Sequence, residues 1–313
     1  MSDGVTSVGN GEAKGAAGDA DEFLRHRPLL FGIAYRMLGS AADAEDAVQD
    51  TWLRWRGAGE EARSPRAFLA ATVTRLCIDQ LRSARVRREE YVGAWLPEPL
   101  VGDVDLGSEA RPLREESLAT AFLLMLERLS PVERAVFLLR EVFEFDYGEI
   151  AGVVGKAEAS CRQVLHRARG RMAAARPTAP AAAPAQALAL ELARRFVHAC
   201  GTGDLQGLLG LLADDVVAWG DGGGFASSAL RPVLGADRVS RLMLGLSGKI
   251  GAAGMELRFA TVNGAPGIVV YDGEKADSVT SFELREGRIA AIYSVRNPHK
   301  LTRVPRRSEL RGA

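Results

Sequence analysis

Asp43-Ala-Glu-Asp-Ala-Val-Gln-Asp-Thr-Trp-Leu-Arg-Trp55 has two chemically opposite sides when wound as a helix. Ala44, Val48, Trp52 and Trp55 fall on one face, and Asp43, Asp46, Gln49 and Asp50 on the other. An acidic face of this kind repels DNA and suits a basic protein surface. The plainer alternative is a capped, acidic helix start with both tryptophans in a core. Working outward, Gly39-Ser40 breaks a preceding helix over 22–38, whose spaced apolar residues are Phe23, Leu30, Ala34 and Leu38. Gly57 and Gly59 end the acidic helix. Ser64-Pro65 then supplies an N-cap and a first-turn proline for a long helix to about Arg88, with Leu69, Val73, Leu76 and Leu81 as its apolar stripe. The fold at this end is therefore all-helical.

A second helical block occupies 113–175. Leu118–Leu129 is amphipathic, and Ser130-Pro131-x-Glu133 opens a helix to about Val142. Asp146–Val154, Gly155 and a helix over 157–173 then match a helix-turn-helix. The third block, 187–302, changes period. Helices at about 187–200, 204–213 and 236–246 accompany three or four strands, at 255–262, 267–271, 278–285 and 288–295, with hairpin turns at Asp272-Gly273 and Glu286-Gly287. That pattern is α+β, with helices on an antiparallel sheet. Pro177-Thr-Ala-Pro-Ala-Ala-Ala-Pro184 marks a linker at 176–186, and Trp95-Leu96-Pro97-Glu98-Pro99 lies in an acidic linker at 91–112. A basic tail covers 303–313. Residues 1–21, rich in Gly, Ala and Asp, read as a disordered leader of a cytoplasmic protein.

Lys plus Arg and Asp plus Glu cancel at 40 each, which excludes a uniformly basic coat. The charge is nevertheless segregated. Arg75, Arg82, Arg85, Arg87 and Arg88 stand against Asp79 alone, and Lys156, Arg162, Arg167, Arg169, Arg171 and Arg176 against Glu158. Two basic helices, one of them the second of a helix-turn-helix, have the charge expected at nucleic-acid phosphates. A merely solvated face is the alternative. Val164, Leu165 and Met172 are the expected core contacts of the later helix, which leaves Arg162, Gln163, His166 and Arg167 outward. Arg and Gln can make bidentate contacts with guanine and adenine. Three scattered cysteines and four histidines without a paired spacing argue against disulfides and metal sites. No apolar run approaches the roughly 18 residues of a membrane span.

Phe31-Gly-Ile-Ala-Tyr-Arg-Met-Leu-Gly-Ser40 followed by Asp43–Trp55 resembles the second region of extracytoplasmic-function (ECF) sigma factors. Leu129-Ser-Pro-Val-Glu-Arg-Ala-Val-Phe-Leu-Leu-Arg-Glu141 through His166-Arg-Ala-Arg169 resembles their fourth region. Trp95–Pro99, Asp221-Gly-Gly-Gly224, and Asn297-Pro298 with Lys300-Leu301 resemble the signatures of an ECF subgroup with a SnoaL-like, NTF2-like extension. Phe225 stands where a lysine is usual, and His299 where an aspartate is usual. The resemblance implies two all-α domains, a region 2 bundle (22–90) and a region 4 helix-turn-helix (113–175), plus a cone-shaped α+β domain.

It further implies a subunit that binds core RNA polymerase and promoter DNA, needs no cofactor or metal, enters no membrane and catalyses nothing. Asp43, Asp46, Gln49, Asp50 and Trp52 would meet the basic coiled-coil of the largest core subunits. Arg63, Arg66, Arg75, Arg82 and Arg85 would serve the −10 element, with a specificity loop at 58–66 and a base contact at Arg75. Melting would capture flipped bases, although Phe68 is the sole aromatic within that helix. Ser160, Arg162, Gln163, His166, Arg167 and Arg169 would read the −35 element, and Arg171 would sit near phosphate.

The extension is expected to regulate in cis, through a seam of Trp95, Leu96, Pro97, Asp221, Gly222, Gly223, Asn297 and Pro298. In that closed form the basic end of the third domain docks on the first two. The competing expectation is an active cyclase or hydrolase, or a sensor of an unknown small ligand in the cone's pocket, with Asp221 or His198 as acid or base. By residue type alone, Asp221 before three glycines is more often a turn residue and His198 a half-buried structural histidine. A helix-turn-helix regulator independent of polymerase would have no use for residues 43–55.

Overall fold

The computed structural model describes the backbone of residues 9–56, 64–89, 91–103, 119–175 and 186–310, and their side chains except at 9–18, 84–89 and 175. The chain forms two compact units: Met1–Ala84 with Leu129–Arg171, and Arg85–Arg128 with Met172–Ala313.

The first unit is helical. Helix α1 (Gly9–Leu38) stops at Gly39, whose φ of 69° ends the helix left-handed. Ser40 then caps α2 (Ala41–Trp55) by accepting from the Asp43 amide at 3.2 Å. The leader expected to be disordered over 1–21 thus contributes helix from Gly9 onward. One tie is direct: the Trp55 indole N–H, on a buried ring, donates to the Asp19 carbonyl at 3.0 Å. Helix α3 (Pro65–Glu89) buries Leu69, Val73 and Leu81 as expected, with Ala70, Cys77 and Ile78 completing the stripe. Leu76, expected in that stripe, is half-buried.

The fourth helix of the chain, α4 (Thr120–Leu126), belongs to the second unit and is described there. In the first unit, α5 (Pro131–Phe137) opens with a reciprocal Ser130–Glu133 capping box. The single helix expected to run to Val142 instead widens into a π turn over Leu138–Val142, closed by the Phe143 amide on the Leu138 carbonyl at 3.1 Å. Helix α6 (Tyr147–Val154) ends at Gly155 in the left-handed conformation, and α7 (Glu158–Ala175) follows. Cys161, Val164, Leu165, Ala168 and Met172 form the buried side of α7.

The second unit is built on a seven-stranded sheet of order β1-β4-β5-β6-β7-β2-β3. Its strands are β1 (Val101–Gly102), β2 (Leu212–Asp221), β3 (Val233–Leu234), β4 (Glu256–Val262), β5 (Ala265–Asp272), β6 (Lys275–Arg285) and β7 (Arg288–Val295). All neighbours are antiparallel except β2 and β7. Alternation along the strands covers both faces. One face packs Ile268, Val270 and Ile292 with α8 (Gln186–Thr202), α9 (Leu205–Leu211) and α10 (Ala236–Ala252). The other packs Val269, Tyr271 and Tyr293 with Leu96, with Ala121 and Leu124 of α4, and with Leu301 and Leu310.

The acidic stretch read as a linker therefore adds a strand to the sheet, and the basic tail folds back onto it. Asn263-Gly264, with φ of 50° and 80°, makes the hairpin turn between β4 and β5 that the sequence reading did not mark.

Candidate functional site

On α2, Asp46, Gln49 and Asp50 are exposed, and Asp43 is half-buried. Trp52 is half-buried against Phe23, ring centroids 4.9 Å apart. Together with Leu24 and Val48 they line a groove of about 410 Å³, at which Arg27 pairs with Glu45 at 2.6 Å. Leu24 and Leu53 are more than half exposed. The helix thus presents acids beside an apolar cleft, while Trp55 is buried and serves the core alone.

The basic residues of α3 are less free. Arg66 donates to the Phe143 carbonyl at 3.3 Å, and its guanidinium lies 4.1 Å from the centre of the Phe145 ring. Arg75 donates to the carbonyls of Val153 at 3.0 Å and Gly152 at 2.5 Å. Arg82 pairs with Asp79 at 3.3 Å. Arg63 and the Arg85 side chain lie outside the described residues. Phe68 is half-buried and tilts against Trp55 at 5.7 Å, so it is core rather than a platform for a base.

Two further arginines tie the helices of this unit together. Arg134, buried on α5, donates to the Met37 carbonyl at 2.5 Å. Arg36, buried on α1, lies 5.4 Å from the Phe143 ring, and burial lowers its pKa to about 10. Sequence reasoning missed both; Phe143-Glu-Phe145 after a helix end was the available signal.

On α7, Arg162, Gln163, His166, Arg167 and Arg169 are exposed, and Ser160 is half-buried. Arg162 pairs with Glu158 at 3.0 Å and lies 4.6 Å from the Tyr147 ring centre. Arg169 pairs with Glu141 at 2.7 Å. Arg171, expected near phosphate, instead meets Glu133 at 2.5 Å. Burial pulls the Glu133 carboxyl upward, but bonds from the Ser130 hydroxyl and amide, and then Arg171, outweigh it and leave its pKa lowered. Arg171 therefore braces the capping box of α5.

The third site lies within the second unit. Asp221, fully buried at the end of β2, accepts from the Tyr91 hydroxyl at 2.5 Å, the Leu96 amide at 2.8 Å and the Lys300 ammonium at 2.7 Å. Lys300 also donates to the Leu96 carbonyl at 2.5 Å and lies 4.4 Å from the Trp95 ring centre. Burial, with the bond to Asp221, pushes the Tyr91 pKa up. Asn297 donates to the Tyr91 oxygen at 2.8 Å and accepts from the His299 amide at 3.0 Å.

Two glycines make this closeness possible. A Cβ on Gly222 would meet the Ala226 carbonyl at 2.1 Å, and one on Gly223 (φ 58°) the Asn297 amide at 2.2 Å. Leu96 and Pro97 are buried, and Pro298 is exposed. Farther along, Asn263 accepts from the Leu100 amide at 2.8 Å and donates to Thr120 at 3.2 Å. Trp95, Leu96, Asp221, Gly223 and Asn297, expected at a seam where the third domain docks on the first two, thus form a latch between residues 91–100 and the sheet, all within the second unit. Tyr91 and Asn263 were not anticipated. Asp221 is more than a turn residue, and its carboxylate is occupied by three donors. His198, expected to be half-buried, is exposed on α8.

No helix among the described residues is long and apolar enough to cross a membrane. A family model for Sigma-70 region 2 matches residues 23–87, and one for Sigma-70, region 4 matches 119–172. The chain is 38% identical to the ECF RNA polymerase sigma factor SigJ of Mycobacterium tuberculosis, covering 92% of this chain and 94% of that protein. It is 33% identical to the probable ECF RNA polymerase sigma factor SigI of the same organism, over 92% of this chain and 95% of that one. A crystal structure of the M. tuberculosis extracytoplasmic function sigma factor SigJ matches at a TM-score of 0.71 and 35% identity, covering 90% of this chain and 98% of that chain. With 38% identity over 92% of its length, the chain belongs to the ECF family of RNA polymerase sigma factors.

Proposed function

We propose that this sigma factor engages core RNA polymerase through the acidic face of α2 and promoter DNA through α3 and α7, with the sheet domain regulating it in cis. The observation that carries the reading is the opposition of charge within one unit. Asp46 and Asp50 stand exposed on α2, and Arg162, Gln163, His166 and Arg167 stand exposed on α7. An acidic face steers toward a basic protein surface, and a basic helix toward phosphates and base edges. Gln49 and Trp52 edge the apolar groove beside the acids and supply the desolvated part of a protein interface.

The sheet domain acts as a regulator rather than an enzyme. Asp221 is committed to Tyr91, Leu96 and Lys300, and His198 is not among its partners. What the domain holds is the chain that leads from α3 toward the helix-turn-helix, so its latch controls how that connection is set. The protein works where polymerase and chromosome are, in the cytoplasm.

Run-off transcription from a library of genomic fragments with purified core enzyme tests this. The expected result is discrete start sites preceded by shared −35 and −10 sequences, lost with Asp50→Arg. Transcripts without a shared upstream sequence, or equal output without the protein, would refute it.

A further inference from the structure

Most of the large apolar side chains left exposed among the described residues gather on two patches, and the patches carry opposite charge. The first is on α1 and α2. Leu24 and Leu53 are more than half exposed there, and Leu24 joins Phe23, Val48 and Trp52 in lining the groove of about 410 Å³. Asp46 and Asp50 stand exposed on the same helix, with no ion-pair partner among the described residues.

The second patch lies wholly within the second unit. Val92, Phe225, Leu230 and Leu234 are each more than half exposed. Backbone closeness draws the first three together. A Cβ on Gly224, next to Phe225, would meet Val92 at 3.3 Å, and one on Gly93 would meet Leu230 at 3.5 Å. Leu234 follows on β3, the outermost strand of the sheet. The free charge here is positive. Arg231 is exposed with no partner among the described residues, and Arg238 is exposed beside it on α10. Asp237, the exposed acid of this stretch, is engaged by Arg241 at 3.0 Å.

Clustered apolar side chains edged by charge mark protein contacts. Pairing either patch with its own copy would set Asp50 against Asp50, or Arg231 against Arg231, and like charges brought together cost affinity. Pairing one patch with the other matches both charge and apolar surface. We infer that the two patches are the halves of one interface between copies of this chain. Phe225 and Leu230 of one copy seat in the α1–α2 groove of another, with Arg231 and Arg238 toward Asp46 and Asp50. A two-fold dimer carries this contact twice, and a ring or chain carries it once per neighbour. In each case the contact covers α2. Assembled protein is therefore withheld from core polymerase, a consequence that rests on α2 being the core-binding face as proposed above. The self-contact does not depend on that reading.

Sedimentation velocity of the full-length protein over a wide range of concentration tests it. The average mass is expected to rise with concentration at low salt and to fall back toward the monomer at high salt. Asp46→Arg with Asp50→Arg disables the groove half, and Phe225→Glu with Arg231→Glu disables the other. All four side chains are exposed, and thermal melting checks that both variants fold. Each variant alone should stay monomeric where the parent assembles. Mixed, each supplies the half that the other lacks, so one-to-one dimers should form and nothing larger. A parent that is monomeric at every concentration overturns the inference. So does association of either variant alone, or failure of the mixture to pair. Core polymerase added to the assembled parent should dissolve it. Assemblies that persist with core bound at every copy would instead remove α2 as the core-binding face and leave the self-contact standing.

Discussion

Phe225 and His299 lie edge to face, ring centroids 4.5 Å apart and planes at 76°. These are the two positions where the sequence departs from the extension motifs it resembles. The departures are neighbours, so an aromatic pair occupies the place where a lysine and an aspartate would face each other. An exposed aromatic pair contributes at the low end of about 0.5–1.5 kcal/mol and depends little on salt. Phe225→Lys with His299→Asp is expected to replace it with an ion pair of similar small strength that fades with ionic strength. A double-mutant cycle from urea unfolding at two salt concentrations checks this. Zero coupling in both pairs would show the contact to be incidental.

The Asp221–Lys300 pair is a larger matter, because Asp221 is fully buried and Lys300 nearly so, at 13% side-chain exposure. Removing one member leaves the other charge without its counter-ion. Lys300→Met is expected to cost about 3–5 kcal/mol, and Lys300→Met with Asp221→Asn clearly less than the sum. Thermal unfolding of the three variants decides, and strict additivity would rule out a coupled latch.

Acid should loosen the C-terminal end before it unfolds the sheet. Glu274 accepts from the Ser308 amide and pairs with Arg307. The Ser308 bonds and then Arg307 lower its pKa from 4.5 to about 2. A depressed carboxylate stabilises the folded form fully above pH 4.5, and the contribution is lost as pH falls toward 2. The protection factor of the Ser308 amide, its exchange rate relative to the unfolded chain at the same pH, is expected to fall across that window. In Glu274→Gln it should already be low at neutral pH. A pH-independent protection factor in the parent protein would contradict the assignment.

Arg171 and Arg162 should separate cleanly. Arg171→Ala removes the brace on Glu133 and is expected to destabilise the first unit by about 1 kcal/mol, a value discounted because Arg171 is half exposed. Arg162→Ala and Gln163→Ala should leave stability nearly unchanged while relaxing −35 discrimination by about 1–3 kcal/mol per base contact. Melting curves beside binding to −35 variants test both. If Arg171→Ala altered discrimination and left melting unchanged, its structural role would be wrong.

Asp46→Arg and Asp50→Arg change exposed side chains, so stability should shift by less than about 0.5 kcal/mol. Affinity for core polymerase is nonetheless expected to fall through like-charge repulsion. Competition against the parent protein measures it, and equal affinity would remove α2 from the interface.

The legible parts of this fold were those with a repeating period. Helix α2 follows its alternation of alanine, valine and tryptophan against acids. Helix α7 buries Val164, Leu165 and Met172 as the spacing requires. Val101-Gly102 and Val233-Leu234 could not be read, since two residues show no alternation. The latch was legible only as motifs. Tyr91 reaches Asp221 across 130 positions, and no local pattern marks that pairing. The partners of Arg66 and Arg75 were not legible for the same reason: they are backbone carbonyls, which any sequence would supply.

The strand at Val101-Gly102 gives truncation an unintended chemistry. It hydrogen-bonds along β4 at the edge of the sheet, and the apolar run before it is seated with it, Leu96 without any exposed surface. Cutting the chain at the Pro/Ala stretch deletes the sheet but keeps this strap. Leu96, Pro97, Pro99 and Val101 then lose the surface that shields them, and a strand-forming edge is left looking for another partner. A shortened protein would differ from the parent in solubility and self-association as well as in regulation. Replacing Leu96 and Val101 with polar residues in the shortened chain is the control that separates the two.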